Sequence, residues 1–212
     1  MDLTFWHRKW QVNEIGFHLE DVNPMLLAHA ASLGLQPGQR WFLPLCGKTR
    51  DIGWLLDQGF AVVGAELSGL AVDQLFADLG ITPDIAEYEE MQCYQAPGLD
   101  IFVGDVFYLS ENLLGPVDGV YDRAALVALP PSMRPGYARH IHAVTAGAPQ
   151  LLITFDYDQN QMSGPPFCVN EAEVRQLYGA EYNIQLLQQQ EVIGGLKGLC
   201  AADELVFNLR RH

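Results

Sequence analysis

Two residues of types that suit ligand binding stand at the ends of consecutive apolar runs. Gly47 follows the run 41–45, and Glu66 ends the run 60–66. A glycine adopts positive φ without strain and lets a ligand approach the backbone, while a carboxylate at a strand end can accept two hydrogen bonds from a ribose diol. The two residues are separated by close to the roughly 20 positions expected between a glycine turn and the acid that holds a ribose. The pair predicts a nucleoside site.

The glycine pattern at this turn narrows the choice of ligand. Only Gly47 stands where a dinucleotide-binding fold has three glycines, and the turn matches neither G-x-G-x-x-G nor G-x-x-x-x-G-K-[ST]. Without those glycines no room is made for a pyrophosphate, so the pattern favours an adenosine without phosphates. S-adenosylmethionine (SAM) fits that description. A buried β-α-β unit that binds nothing is the alternative interpretation.

Two later apolar runs also end in charged residues, Asp105 and Arg123. Asp105 could accept a hydrogen bond from an exocyclic amine such as adenine N6, and a simple loop cap is the open alternative. In an open α/β sheet, ligands bind at the carboxyl ends of the strands. We therefore expect Gly47, Glu66, Asp105 and Arg123 to lie within one ligand's length of each other.

The elements that must position these residues form an alternating pattern. Strand-like runs and helical segments alternate five times, and two strand-like runs follow at the end of the chain. This order predicts one α/β domain over residues 1–212, with helices on both faces of a seven-stranded, mostly parallel sheet whose last hairpin is antiparallel. Residues 1–24 precede the pattern and hold Trp6, Trp10 and Phe17, which predict either a lid over the ligand pocket or a helix that plugs one end of the sheet.

Composition excludes several classes of protein. The chain has 212 residues and a net charge of −14, with only 12 lysines and arginines, so neither nucleic acid nor an anionic membrane is an expected partner. No apolar run reaches the roughly 18 residues of a membrane helix, and the first residues lack the order of a signal peptide. We expect a cytoplasmic monomer that acts on a small molecule.

No metal is expected. The cysteines form no C-x-x-C pair and are expected to be reduced thiols. His140 and His142 lie two residues apart on a predicted helix, so they point to different faces. Asp156 and Asp158 form a D-x-D pattern after a strand, which we interpret as a polar loop rather than a metal site.

Several motifs resemble the thiopurine S-methyltransferase family, in its bacterial form. The similar segments are LPLCGK at 43–48, VVGAELS at 62–68, YDRAALVA at 121–128 and GPPF at 164–167, together with Trp10 and GFH at 16–18. The resemblance extends from about residue 6 to the end of the chain. It implies a class I SAM-dependent methyltransferase fold and the transfer of a methyl group from SAM to an aromatic or heterocyclic thiol such as a thiopurine. Bacterial relatives are also linked to methylation of selenium and tellurium compounds.

The resemblance also implies roles for particular residues. Those expected to bind the cofactor, including Gly47 from the turn analysis, are Trp10, Leu45, Gly47, Glu66, Asp105, Val106 and Arg123. Phe17 falls at a substrate-pocket position. No residue is assigned as a catalytic base, since aromatic thiols ionise readily near neutral pH. A sensor of SAM or a nucleoside, and an NAD-linked oxidoreductase, are the alternative functions.

Overall fold

A nine-stranded sheet organises the part of the chain that the computed structural model describes, residues 3–212. The first two residues of the predicted lid segment, 1–24, lie outside that part. The strands are β1 Arg40–Pro44, β2 Ala61–Glu66, β3 Asp84–Glu87, β4 Gln92–Ala96, β5 Leu99–Val103, β6 Gly119–Arg123, β7 Gln150–Tyr157, β8 Tyr182–Glu191 and β9 Ala202–Arg211. The helices are α1 Leu3–Gln11, α2 Pro24–His29, α3 Arg50–Asp57, α4 Gly69–Leu79, α5 Glu111–Leu114, α6 Arg134–Val144 and α7 Glu171–Tyr178.

The sheet order is β3-β4-β5-β2-β1-β6-β7-β9-β8. The five central strands, from β5 to β7, are parallel to one another. Both edges are antiparallel: β4 and β3 continue from β5, while β9 and β8 continue from β7. This confirms the α/β fold and its antiparallel last hairpin.

The predicted strand count is wrong, because the sheet has nine strands and is mixed rather than mostly parallel. The two additional strands are β3 and β4 at one edge. Three of the four residues of β3 are exposed, so this strand lacks the apolar run that marks the central strands. An edge strand of this kind is held by its backbone hydrogen bonds to β4, which sequence periodicity does not show.

Side-chain hydrogen bonds cap the starts of several helices. The Ser68 hydroxyl accepts a hydrogen bond from the Ala71 amide at 3.3 Å and begins α4, which ends at Gly80 with φ 69°. Asn23 and Asn170 cap α2 and α7 in the same way. These side chains satisfy amides that a helix leaves unpaired at its start.

Among the helices of residues 3–212, none is both long enough and apolar enough to cross a bilayer.

Apolar side chains cover both faces of the central strands. Along β1, Phe42 packs on one face, while Trp41 and Leu43 pack on the other. Successive residues of a strand point to opposite faces, so a strand that is buried throughout requires layers on both sides. The helices supply those layers, and the strand ends are left to form loops.

Gly64 in β2 is required by the turn that follows β1. A Cβ at this position would lie 2.7 Å from both Cys46 Sγ and Ile101 Cδ1. The absent side chain therefore leaves room for Cys46, whose amide also donates to the Ala65 carbonyl at 3.0 Å. The glycine in β2 lets the β1 turn pack directly against the neighbouring strand.

Replacing Gly64 with alanine should lower the free energy of unfolding by about 1–3 kcal/mol, the usual cost of overpacking a core. The matched control is Gly136→Ala in α6, where a Cβ meets nothing within 4 Å. That control should raise the free energy of unfolding by about 0.5–1 kcal/mol through helix propensity. Urea denaturation measures both, and equal stabilities of the two variants would contradict the packing at Gly64.

Candidate functional site

The turn after β1 reverses the chain at the carboxyl edge of the sheet. Leu45 and Gly47 both have positive φ, at 49° and 54°, a region that a non-glycine residue seldom adopts. The Thr49 hydroxyl then accepts from the Asp51 amide at 3.3 Å and begins α3. This tight path places the Gly47 backbone beside the end of β2.

Glu66 joins the loops that follow β1 and β2. Its Oε2 accepts a hydrogen bond from the Gly47 amide at 2.8 Å, and its Oε1 accepts one from the Ser68 amide at 2.9 Å. The residue is 7% exposed. Burial raises the pKa of this carboxyl, while the backbone amides of Ser68, Gly47 and Leu67 act in the opposite direction. A carboxylate is thus held at a fixed position on the border of a cavity.

That cavity has a volume of about 830 Å³, within the range of small-molecule sites. The predicted site residues that line it are Trp10, Phe17, Leu45, Gly47, Glu66 and Arg123. The cavity is also lined by Phe155 of β7, by residues 164–166, and by residues around the end of β8 and the start of β9. The cavity therefore spans the parallel centre of the sheet and its antiparallel edge.

Asp105 and Val106 stand apart from the lining of this cavity. They follow β5, whose end lies next to β2, and the Gly104 amide donates to the Glu66 carbonyl at 2.9 Å. The Asp105 carboxylate accepts from the Phe107 amide at 3.1 Å and caps a short 3₁₀ helix, which is the loop-cap alternative. Val106 is buried, and its carbonyl accepts a hydrogen bond from His140 Nε2 at 2.7 Å.

The N-terminal segment covers the glycine turn. Trp10 is 4% exposed, and a Cβ on Gly47 would lie 3.1 Å from its ring. Phe17 contacts Trp6 and Trp10 edge-to-face, with ring centroids 5.7 and 5.6 Å apart. Arg123 Nη1 donates to the Phe17 carbonyl at 2.8 Å. Aromatic packing and one charged hydrogen bond thus hold this segment over the strand ends.

A buried carboxylate orders the turn that carries Arg123. Asp122 is 0% exposed and accepts from the Leu126 amide at 3.0 Å and from the Tyr137 hydroxyl at 2.7 Å. The chain then turns through Ala124, which has a φ of 62°. Burial raises the pKa of Asp122 to about 6, although both hydrogen bonds act to lower it.

The sequence predictions missed several acidic residues of the cavity lining, among them Asp51 and Glu204. Asp51 is 1% exposed and accepts from the Asn23 amide at 2.7 Å and the Tyr121 hydroxyl at 3.1 Å, so it joins the N-terminal segment to β6. Its place in the first turn after the glycine was the available signal. Glu204 lies on β9, where no local pattern distinguishes it from a solvent-facing strand residue.

The residues considered as metal ligands have other partners. The Asp158 carboxylate accepts from the Asn160 amide at 3.0 Å and from the Asn160 side chain at 2.9 Å, as a polar turn does. Within residues 3–212, no cluster of three or more histidine, cysteine and acidic residues is placed to hold a metal ion. The four cysteines are free thiols.

Solved structures identify the class of fold. The structure is similar to a SAM-dependent methyltransferase from Anabaena variabilis, with a TM-score of 0.65 and 11% identity over 99% of this chain and 95% of that one. It is also similar to the 1,6-didemethyltoxoflavin-N1-methyltransferase of Burkholderia thailandensis, solved with S-adenosylhomocysteine, with a TM-score of 0.64 and 18% identity over 98% and 87% of the two chains. The fold is that of the class I SAM-dependent methyltransferases, as predicted.

Sequence comparisons identify the family. The family model described as thiopurine S-methyltransferase (TPMT) matches residues 1–211. The thiopurine S-methyltransferase of Xanthobacter autotrophicus is 53% identical over 212 residues, which cover 100% of both chains. That of Gluconobacter oxydans is 49% identical over 204 residues, which cover 96% of this chain and 93% of the relative. The chain belongs to the thiopurine S-methyltransferase family.

The pKa of Asp122 predicts a pH-dependent contribution to stability. Its folded pKa of about 6 lies above the ordinary aspartate pKa of 3.8, so the unfolded chain loses this proton first as the pH rises. The carboxyl therefore favours folding less and less between about pH 4 and pH 6, by about 3 kcal/mol in total at pH 7. Glu66 has a raised pKa in the same direction, so Asp122 must be isolated by substitution.

Asp122→Asn keeps an oxygen for the Leu126 amide and removes the charge. The unfolding free energy of the variant minus that of the unmodified protein should therefore increase by up to about 3 kcal/mol from pH 4 to pH 7. Urea denaturation at several pH values measures this difference. Parallel curves for the two proteins would show that Asp122 does not titrate in this way.

Proposed function

We propose that this protein transfers the methyl group of SAM to the sulfur of an aromatic or heterocyclic thiol, such as a thiopurine. The observation that carries the proposal is one cavity in which Glu66, held by the amides of two strand-end loops, and Arg123 both line the wall beneath an aromatic cover. Family membership supports the same reaction.

The residues of the cavity fit SAM. Each oxygen of Glu66 accepts one backbone hydrogen bond, and a carboxylate oxygen has capacity for a second donor, which leaves room for a ribose diol. We propose that the Leu45 carbonyl accepts from the methionine ammonium, and that Arg123 attracts the carboxylate. Gly47 and Trp10 bound the same wall. When bound, SAM supplies an electrophilic methyl group.

Asp105 and Val106 stay in the proposal as adenine contacts. They follow β5, whose last residue, Val103, pairs with Glu66 in the sheet, so an adenine that extends from the ribose past β2 would approach them. Among residues 3–212, the Asp105 carboxylate has one hydrogen-bond partner, the Phe107 amide, and it has further capacity to accept from an exocyclic amine.

One part of the cavity wall suits an apolar, ring-shaped acceptor. Phe17, Phe155, Pro165 and Pro166 line it, and such groups exclude water and orient a planar ring. The Arg123 guanidinium favours an anionic sulfur by charge. Alignment and exclusion of water are the main contributions of the protein to a displacement between two bound groups.

The remaining proposals concern the location of the protein, its oligomeric state and the molecules that it binds. The net charge of −14 repels polyphosphates and anionic lipids, so we propose a cytoplasmic monomer that binds neither nucleic acid nor membranes. Sedimentation equilibrium tests the monomer. The sensor and oxidoreductase alternatives are separated from a methyltransferase by turnover with thiols and by titration with NADH beside SAM. Selenite and tellurite belong in the same acceptor screen.

The N-terminal lid should become more protected when the site is filled. Residues 6–18 pack on Gly47 through Trp10 and are held to Arg123 by a single hydrogen bond, so the cover has to open to admit SAM. Hydrogen exchange of these amides should slow when S-adenosylhomocysteine is added, while amides of the β8–β9 hairpin at 182–186 and 207–211 should change little. Unchanged exchange at 6–18 would exclude a lid.

Glu66 tests the cofactor site and the function together. Hydrogen bonds to a charged group are worth about 1.5–3 kcal/mol each, so Glu66→Ala should weaken SAM binding from about tenfold to several hundredfold. Glu66→Gln, which keeps an oxygen acceptor and loses the charge, should have a smaller effect. Calorimetric titration with SAM and with S-adenosylhomocysteine measures both variants. The KM for the thiol should change less than the KM for SAM.

The unmodified protein is assayed in parallel with labelled SAM and a panel of aromatic thiols and thiopurines. Because Glu66→Ala leaves the Gly47 and Ser68 amides without their acceptor, circular dichroism must first show that the variant is folded. Glu87→Gln, an exposed carboxylate of β3, is the control and should bind SAM normally. SAM binding without methylation of any acceptor would favour the sensor, and unchanged SAM affinity in folded Glu66→Ala would refute this ribose site.

A further inference from the structure

We infer that Glu204 of β9 is a catalytic residue that accepts the proton released when a heterocyclic thione is methylated. This inference deepens the proposed function and rests on it. Three observations carry it: the position of Glu204 in the sheet, the sparse hydrogen bonding of its carboxylate, and the chemistry of an acceptor that carries its proton on a ring nitrogen.

Strand register places Glu204 on the face of the sheet that carries Arg123. Arg123 pairs with Ile153 of β7, and Ile153 pairs with Val206 of β9. Paired residues of adjacent strands share a face, and so do residues two apart on one strand. Glu204 lies two residues from Val206 and pairs with Phe155. It therefore lies toward the carboxyl end of β7, in a cavity wall that includes Glu204, Phe155 and Arg123.

The Glu204 carboxylate is partly buried and has fewer hydrogen-bond partners than three fully buried acids of the same chain. Glu66, Asp51 and Asp122 each accept two hydrogen bonds of 3.1 Å or less from amides or tyrosine hydroxyls. Within residues 3–212, Glu204 accepts one hydrogen bond, from Gln190 Nε2 at 3.5 Å, and it forms no ion pair with an N–O distance within 4 Å. Its oxygens are available to a ligand.

The charges around Glu204 suit a proton acceptor. Burial raises the pKa of its carboxyl, and the Arg123 charge and the Gln190 hydrogen bond lower it. Lys197 and Glu191 line the same cavity. The Tyr121 hydroxyl on β6 lies near enough for the Glu204 charge to contribute to its raised pKa. A carboxyl with a raised pKa is a better match for a general base at neutral pH than an ordinary one.

The acceptor determines whether such a base is needed. A thiopurine exists as a thione, with the proton on a ring nitrogen beside the C=S group. As the sulfur forms its bond to the methyl carbon, the bond between that carbon and the sulfonium breaks, and its electron pair stays on the departing sulfur. The nitrogen–proton bond breaks before this step, when the thione binds, and its electrons form the ring C=N bond while negative charge passes to the sulfur. Glu204 takes that proton, so the methylated product leaves neutral.

A thiol that is already ionised needs no such step. An aromatic thiol with a low pKa enters as the thiolate, which is itself the nucleophile. Loss of the Glu204 carboxylate should therefore affect the two classes of acceptor differently. A merely structural role would affect both classes alike, since they share the cofactor and the cavity.

The test compares Glu204→Gln with the unmodified protein on a thiopurine and on an aromatic thiol that is ionised at pH 7. General bases contribute about 10²–10⁴-fold, so kcat/KM for the thiopurine should fall at least about a hundredfold, while that for the thiolate should change less than about threefold. The deficit should shrink as the pH rises above the pKa of the thiopurine itself. Asp203→Asn, the neighbouring residue on β9 whose carboxylate accepts from Gln189, is the matched control.

A second measurement does not depend on turnover. In the presence of S-adenosylhomocysteine, the ultraviolet spectrum of a thiopurine bound to the unmodified protein should be that of the anion, at a pH where the free thiopurine is neutral. With Glu204→Gln the bound spectrum should be that of the neutral thione. The variant should keep its affinity for S-adenosylhomocysteine within about threefold, which shows that it is folded.

The outcomes separate this inference from the proposed function. If the unmodified protein methylates neither acceptor, the proposed function fails and the inference fails with it. If the unmodified protein methylates both and Glu204→Gln loses both equally, or neither, the function stands and the assignment of Glu204 is overturned. Selective loss of the thiopurine reaction together with the change in the bound spectrum supports the assignment.

Discussion

The cavity depends on one buried carboxylate. Glu66 is nearly inaccessible to solvent, yet it accepts the Gly47 amide from one loop and the Ser68 amide from the next. Burial disfavours the charge, and the hydrogen bonds from amides act in the opposite direction. Because the two amides belong to the loops after adjacent strands, the same bonds that favour the charged form of the carboxylate also fix the distance between the strand ends. The binding site and the local fold therefore share one set of interactions.

The part of the site around Gly47 and Glu66 was predictable because the residues that interact there lie close together in the sequence. The turn at Gly47, the cap at Ser68 and the helix stop at Gly80 each follow from the residue's own conformational and hydrogen-bonding preferences. The buried central strands can be recognised in the sequence as apolar runs. The hairpin of β3 and β4 cannot be recognised in this way, since β3 is mostly exposed and is held by backbone hydrogen bonds to β4. Patterns of side chains detect burial, and they do not detect pairing at an open edge.

The other half of the site depends on contacts between distant parts of the chain. Glu204 reaches the cavity only because β9 pairs with β7, in the register that sets it beside Phe155. Asp51 acquires its role from Asn23 and Tyr121, which come from opposite sides of it in the sequence. In the sequence alone, each is one of 26 acidic residues. The family resemblance indicated roles for Trp10 and Phe17. The residue pattern alone did not decide whether their segment is a lid over the pocket or a helix that plugs one end of the sheet.

These two origins imply a division of labour in the cavity. The wall with Gly47 and Glu66 is built from adjacent parallel strands and their loops, where a change in one residue disturbs strand, cap and carboxylate together. The wall with Phe155 and Glu204 is built from the antiparallel edge of the sheet. The strands of this edge are held together by their backbone pairing. Side chains there can change without loss of the sheet. The physical constraint on the wall with Gly47 and Glu66 is therefore tighter than that on the wall with Phe155 and Glu204, where the backbone, rather than the side chains, holds the structure.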